Sequence, residues 1–127
     1  MRLPSLLVVL PGLALAQPAE DVPAGTWTGT LTPMNHPDLH TPLVYEVGHE
    51  ADGLTLALGP AEADVQVRAE DVRLDADALH FWFREPDAAV RLDCEFRRRD
   101  DGSYAGRCTD ADGKYATLTM RPPTPEE

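Results

Sequence analysis

The sequence predicts an all-β domain: an antiparallel meander of about eight to ten short strands that closes into a small barrel with one disulfide. Three observations predict it. Short apolar runs alternate with period two, turns rich in Gly, Asp and Pro separate them, and Cys94 and Cys108 fall on the apolar side of two neighbouring runs. Period-two alternation with one polar face marks strands that are packed on one side and wet on the other. No helical period of useful length competes with it.

The elements follow in order. GTWTGTL, residues 25–31, opens the domain, with Trp27, Gly29 and Leu31 alternating with Thr26, Thr28 and Thr30. Leu43, Tyr45 and Val47 form the next inward set, then Leu54, Leu56 and Leu58, then Val65 and Val67, then Val72 and Leu74. Leu79, Phe81 and Phe83 come next, followed by Val90, Leu92, Cys94 and Phe96, then Tyr104, Gly106 and Cys108, and last Ala116, Leu118 and Met120. Between them stand Glu46, Gln66, Arg73, Arg91, Asp93, Glu95 and Arg107, a polar outer face.

One hairpin is predicted to the residue. Asp100-Asp101-Gly102 suits a three-residue loop, with Gly102 as the left-handed residue of a G1 bulge. Arg99 then faces Ser103, and the pairing runs outward as Arg98 with Tyr104, Phe96 with Gly106 and Cys94 with Cys108. The cysteines land at a non-hydrogen-bonded pair, where side chains approach most closely. A bridge there closes a loop of about 15 residues and adds roughly 3 kcal/mol in the chain-entropy model.

The ends and the charge set the context. Residues 1–16 combine Arg2, an apolar run broken by Pro4 and Pro11, and Ala14-Leu15-Ala16, the pattern of a cleaved export signal. The run is too short and too interrupted to span a bilayer as a helix, and it predicts no membrane anchor. Export, to a periplasm or the extracellular space, makes a disulfide the default state of two cysteines. Residues 17–24 read as a flexible lead-in, 25–121 as the barrel domain and 122–127 as a disordered tail. The formal net charge of −11 argues against nucleic acid as a partner, because a phosphate backbone would be repelled.

Chemistry-bearing groups are sparse. His36, Asp38 and His40, in the Pro-rich connection of residues 32–42, are the sole weak metal candidate, and a solvated mouth loop is the simpler reading. Asp110, Asp112 and Gly113 read as an ordinary hairpin turn, since a calcium loop would need a later glutamate. Beyond residue 16 the one serine, Ser103, sits in a turn with no nucleophile elbow near it, so no catalytic residue, no metal and no cofactor is expected. With Leu79, Phe81 and Phe83 inward, His80, Trp82 and Arg84 share the outer face and compose a contact patch.

Gly25-Thr26-Trp27 at the start of a small exported β-domain resembles the opening of lipocalin and calycin-type barrels. The resemblance implies that Trp27 closes one barrel end and packs on an Arg of the final strand, here Arg121. The longer series Gly25, Trp27, Gly29, Leu31, then PLVYEV, DGLTL and EDVRLDADALHFWF is closer still to a bacterial exported domain found alone or ahead of secreted α/β-hydrolases. Avidin-type barrels share the GTW opening but carry more tryptophans than Trp82 supplies. Small exported metalloprotease inhibitors are also Gly-x-Trp barrels with one disulfide.

The reading is therefore a calycin-like, non-catalytic binding or adaptor module for a small apolar ligand or an exported partner protein. Its expected interior ligand-binding residues are Leu43, Tyr45, Leu56, Phe81 and Phe83, with residues 32–42 over the mouth. The alternatives are a protease inhibitor acting through residues 17–24 and a structural barrel whose core is full.

Overall fold

The computed structural model describes residues 22–51, 53–86 and 90–123; the expected signal, residues 17–21 of the lead-in and the end of the tail lie outside these. The alternations become nine antiparallel strands: β1 (Gly25–Pro33), β2 (Thr41–Glu50), β3 (Gly53–Pro60), β4 (Val67–Arg68), β5 (Glu70–Asp75), β6 (Ala78–Arg84), β7 (Arg91–Arg98), β8 (Tyr104–Thr109) and β9 (Tyr115–Met120). No helix occurs among the described residues. Two expected inward residues fall outside strands: Val65 and Val90 sit in connections and are exposed.

The sheet order is β4-β3-β2-β1-β9-β8-β7-β6-β5, so the two edges belong to consecutive strands joined by Ala69. Val67 and Arg68 pair with Leu58 and Ala57 of β3, and the Ala69 N–H donates to the Leu56 carbonyl at 2.8 Å. From Glu70 onward the same segment pairs with β6 instead, Glu70 opposite Trp82 and Arg73 opposite His80. A bulge between Glu70 and Arg73, with Asp71 at φ 52°, turns the chain from one partner to the other. Counted as one bent strand, β4 and β5 make an eight-stranded up-and-down barrel, nearly closed. Eight strands leave an interior just wide enough for side chains to fill.

The barrel bends where strands lack a side chain. A Cβ on Gly29 would be built into the Thr119 carbonyl, and one on Gly106 into the Glu95 carbonyl. Close backbone approach of this kind lets strands curl at barrel corners. At Gly29 the gap also admits a hydroxyl. The Tyr45 O–H donates to the Thr119 carbonyl at 2.9 Å, while the Thr30 N–H bonds Thr119 Oγ1 at 3.0 Å. Side chains therefore complete a ladder that the backbones leave open there.

The hairpin of β7 and β8 has the expected register, from Arg98 opposite Tyr104 to Cys94 opposite Cys108. Gly102 has φ 89°, and the Arg99 N–H donates to the Ser103 carbonyl at 2.7 Å. Cys94 and Cys108 are bonded, with their Cα atoms 4.0 Å apart, and both are buried. A buried disulfide is compatible with an oxidising environment.

The two ends of the barrel differ. Residues 22–24 and the β2–β3, β5–β6 and β7–β8 turns lie at one end; the β1–β2, β3–β4, β6–β7 and β8–β9 connections lie at the other. At the first end Trp27 is fully buried, 6.1 Å from the Tyr104 ring, and its indole N–H donates to the Pro23 carbonyl at 2.9 Å. Val22 is buried as well, and the His49 Nε2–H donates to its carbonyl at 2.7 Å. Val22, Val47, Leu54, Leu56, Leu79 and Met120 close on one another there with no space for a water. We call this the closed end.

Candidate functional site

The open end is where packing stops. Above the cross-packed rings of Tyr45, Phe81 and Phe96, with centroids 5.3 to 6.5 Å apart, the inward residues are aliphatic apart from Phe83. They leave an apolar cavity of about 190 Å³ walled by Leu31, Leu43, Leu58, Val67, Phe83 and Leu92. Pro60 and Val65 close one side of it, and Thr41, Glu85 and Pro86 form the rim. Glu85 is the sole ionisable side chain on its wall among the described residues, and it is exposed. The Glu85 N–H donates to the Val90 carbonyl at 2.9 Å, which ties the rim segment to the strand that follows it.

The sequence-predicted interior residues divide between these levels. Leu43 and Phe83 line the mouth cavity; Tyr45 and Phe81 belong to the aromatic layer beneath it; Leu56 packs at the closed end. Leu31, Leu58 and Leu92 also line the mouth, and their inward parity was the signal for them. The Pro-rich connection is shorter than residues 32–42, since β1 runs to Pro33 and β2 starts at Thr41. Its residues 34–40 stand at the open end but do not wall the cavity, which the β3–β4 connection and Pro86 enclose instead.

Trp27 and Arg121 are neighbours through the backbone, Arg121 pairing with Thr28 at 2.6 and 3.2 Å. The Arg121 side chain is exposed, on the side opposite to buried Met120, and the segment that holds the indole is Val22-Pro23. Of the lead-in given to a possible inhibitory role, Val22 is thus part of the core.

His36, Asp38 and His40 are all exposed, and His40 Nδ1 is hydrogen-bonded to Thr32 Oγ1 at 2.8 Å. Among the described residues no three such ligands gather. Asp110 makes a hairpin turn, its carboxylate accepting the N–H groups of Asp112 at 2.9 Å and Lys114 at 3.0 Å. Ser103 bonds Asp101 Oδ1 through both its N–H, at 2.9 Å, and its hydroxyl, at 2.6 Å. The Ser103 hydroxyl, then its N–H, hold the Asp101 carboxyl below its usual range.

The outer face of β5 to β8 carries a larger but open groove of about 600 Å³. Half-buried Trp82 lies in it, with its indole N–H donating to Asp71 Oδ2 at 2.8 Å. The Arg91 guanidinium stacks 4.1 Å over the ring and that of Arg84 at 5.5 Å, while His80 stands opposite Glu95. Arg91 pairs with Asp93 at 2.9 Å, and Arg97 with Glu95 at 2.9 Å. This face is a lattice of exposed charges that largely answer one another. Such pairs contribute little individually. The apolar mouth, by contrast, has unfilled surface, and it is the candidate site.

No family model matches the chain, and no curated protein matches it. Among solved structures, it is similar to a redesigned beta barrel at a TM-score of 0.65 and 16% identity, over 85% of this chain and 96% of that one. A second redesigned beta barrel, mFAP1 bound to DFHBI, aligns at a TM-score of 0.47 and 19% identity, over 83% of this chain and 98% of that one. The first likeness shows the fold: a small antiparallel β-barrel.

Proposed function

We propose that this chain is an exported, non-catalytic binding module that takes an apolar group into the open end of a calycin-like barrel. One observation carries the reading: a core packed tightly at Trp27 gives way at the opposite end to an apolar cavity of about 190 Å³. The resemblance of the Gly25-x-Trp27 opening to calycin-type barrels supports it. Drug-sized ligands need roughly 300–1,000 Å³, whereas an apolar cavity of about 150 Å³ holds a benzene ring. The mouth therefore suits one ring or a short branched chain, with the rest of the ligand outside.

Titration with benzene, followed through the methyl resonances of Leu31, Leu43, Leu58 and Leu92, tests the reading. Shifts confined to these residues are expected, and Leu43→Trp, which fills the mouth, should remove them. Unmoved methyls in a folded protein in benzene-saturated buffer would overturn it. Full burial of one Leu- or Phe-sized apolar group is worth roughly 1.5–3 kcal/mol. A millimolar complex already needs about 4 kcal/mol. The cavity by itself is an anchor point, and useful affinity has to come from the surface around it.

A further inference from the structure

That surrounding surface has two properties. The large hydrophobic residues exposed among the described residues are Met34, Leu39, Val65 and Val90. All four lie on connections of the open end: Met34 and Leu39 between β1 and β2, Val65 between β3 and β4, and Val90 between β6 and β7. Among the described residues the closed end exposes none. Single exposed apolar residues need no explanation, but their gathering at one end beside an apolar cavity marks an interaction surface.

The same connections are acidic. Asp38, Glu62, Asp64 and Glu85 stand on them, and Asp110 and Asp112 on the β8–β9 connection beside them, against Lys114 and the Arg84 and Arg91 strand ends that flank Glu85. The ion pairs of Arg91 with Asp93 and of Arg97 with Glu95 and Asp77 lie along β7 or between β7 and the β5–β6 turn, and none of them uses these carboxylates. An anionic membrane surface would be repelled. A second copy docking end to end would bring two such acidic sets together.

Resting on the reading of the mouth as the binding site, we propose that the open end docks a basic segment of a partner protein. One bulky apolar side chain of that segment seats among Leu43, Leu58, Phe83 and Leu92, and Lys or Arg residues flanking it lie over the acidic connections. The apolar anchor supplies the pocket contact, and the charges supply steering and register.

Selection from a random heptapeptide library on the intact domain tests this. The expected consensus is one Leu, Ile, Met or Phe flanked by Lys or Arg, and the selected peptide should bind at least about tenfold tighter at low than at high salt. Glu62→Gln, Asp64→Asn and Glu85→Gln together, all at exposed positions, should weaken it about tenfold and flatten the salt dependence. Leu43→Trp should abolish binding, with thermal unfolding checked in parallel. Glu85→Lys, which leaves the core untouched, serves if that variant fails to fold, and should weaken binding about fivefold.

Selection of acidic or charge-free sequences, or of none, would overturn the docking proposal. So would affinity that ignores the neutralised set, tighter binding to anionic vesicles than to the peptide, or equal affinity for hexylamine. In each case benzene in the mouth would leave the proposed function standing. Benzene excluded from a folded protein would remove both.

Discussion

At the scale of single residues, the most informative contact is the hydroxyl of Tyr45 on the Thr119 carbonyl. It exists because Gly29 has no side chain in the way and because the β1–β9 ladder opens at that point. Tyr45→Phe should cost about 1–2 kcal/mol, the loss of one buried hydrogen bond, read as a lower denaturant midpoint at unchanged slope. Gly29→Ala should cost more, since it forces two strands apart. Burial pushes the Tyr45 phenol far above its ordinary range. Below pH about 10 its contribution is whole; above that the unfolded chain sheds a proton that the folded one keeps, so stability falls as pH rises. Tyr45→Phe should flatten that alkaline slope, and an unchanged slope would show that other groups set it.

At the scale of elements, the seam between β4 and β5 is the weak join. Ala69 and the bulge at Asp71 carry the chain from β3 to β6, and Trp82 holds the bulge by its hydrogen bond to Asp71. The outer-face aromatic that the sequence offered as a contact residue is thus also a tie across two strands. Trp82→Phe keeps a ring beneath Arg91 but loses that tie. It should cost about 1 kcal/mol and speed amide exchange in Ala69 and Val72–Leu74 before it does so in β7 and β8. The β7–β8 hairpin, by contrast, was legible to the residue. Its loop residues, its bulge glycine and the parity of its cysteines are all properties of neighbours in sequence.

At the scale of the whole molecule, the barrel is closed at one end by Val22 and Pro23, which precede the first strand. Val22 fills the space beside Leu79 and Met120, while Pro23 accepts the Trp27 indole. Val22→Ala should cost about 1.5 kcal/mol or more, for two buried methyl groups at roughly 0.8 kcal/mol each plus any void left. Benzene shifts at the mouth should be unaffected, because the aromatic layer of Tyr45, Phe81 and Phe96 lies between the two ends. Coupling between Val22 and the mouth would show that this layer is not a rigid floor.

Sequence alone determined which side chains point inward within the strands, because strand parity is a local property that survives in any antiparallel sheet; Val65 and Val90 escaped it by falling outside strands. Leu43, Tyr45, Leu56, Phe81 and Phe83 are all buried for that reason. It determined the disulfide and the bulge glycine of the β7–β8 hairpin. Parity is silent on height along the barrel axis. Only the tertiary structure decided that Leu56 packs at the closed end while Leu43 and Phe83 border a cavity, since a void depends on how side chains from strands distant in sequence meet. The same holds for Val22, whose burial depends on the chain folding back over the barrel end, and for the split strand at Ala69, whose two partners are set by closure of the ring.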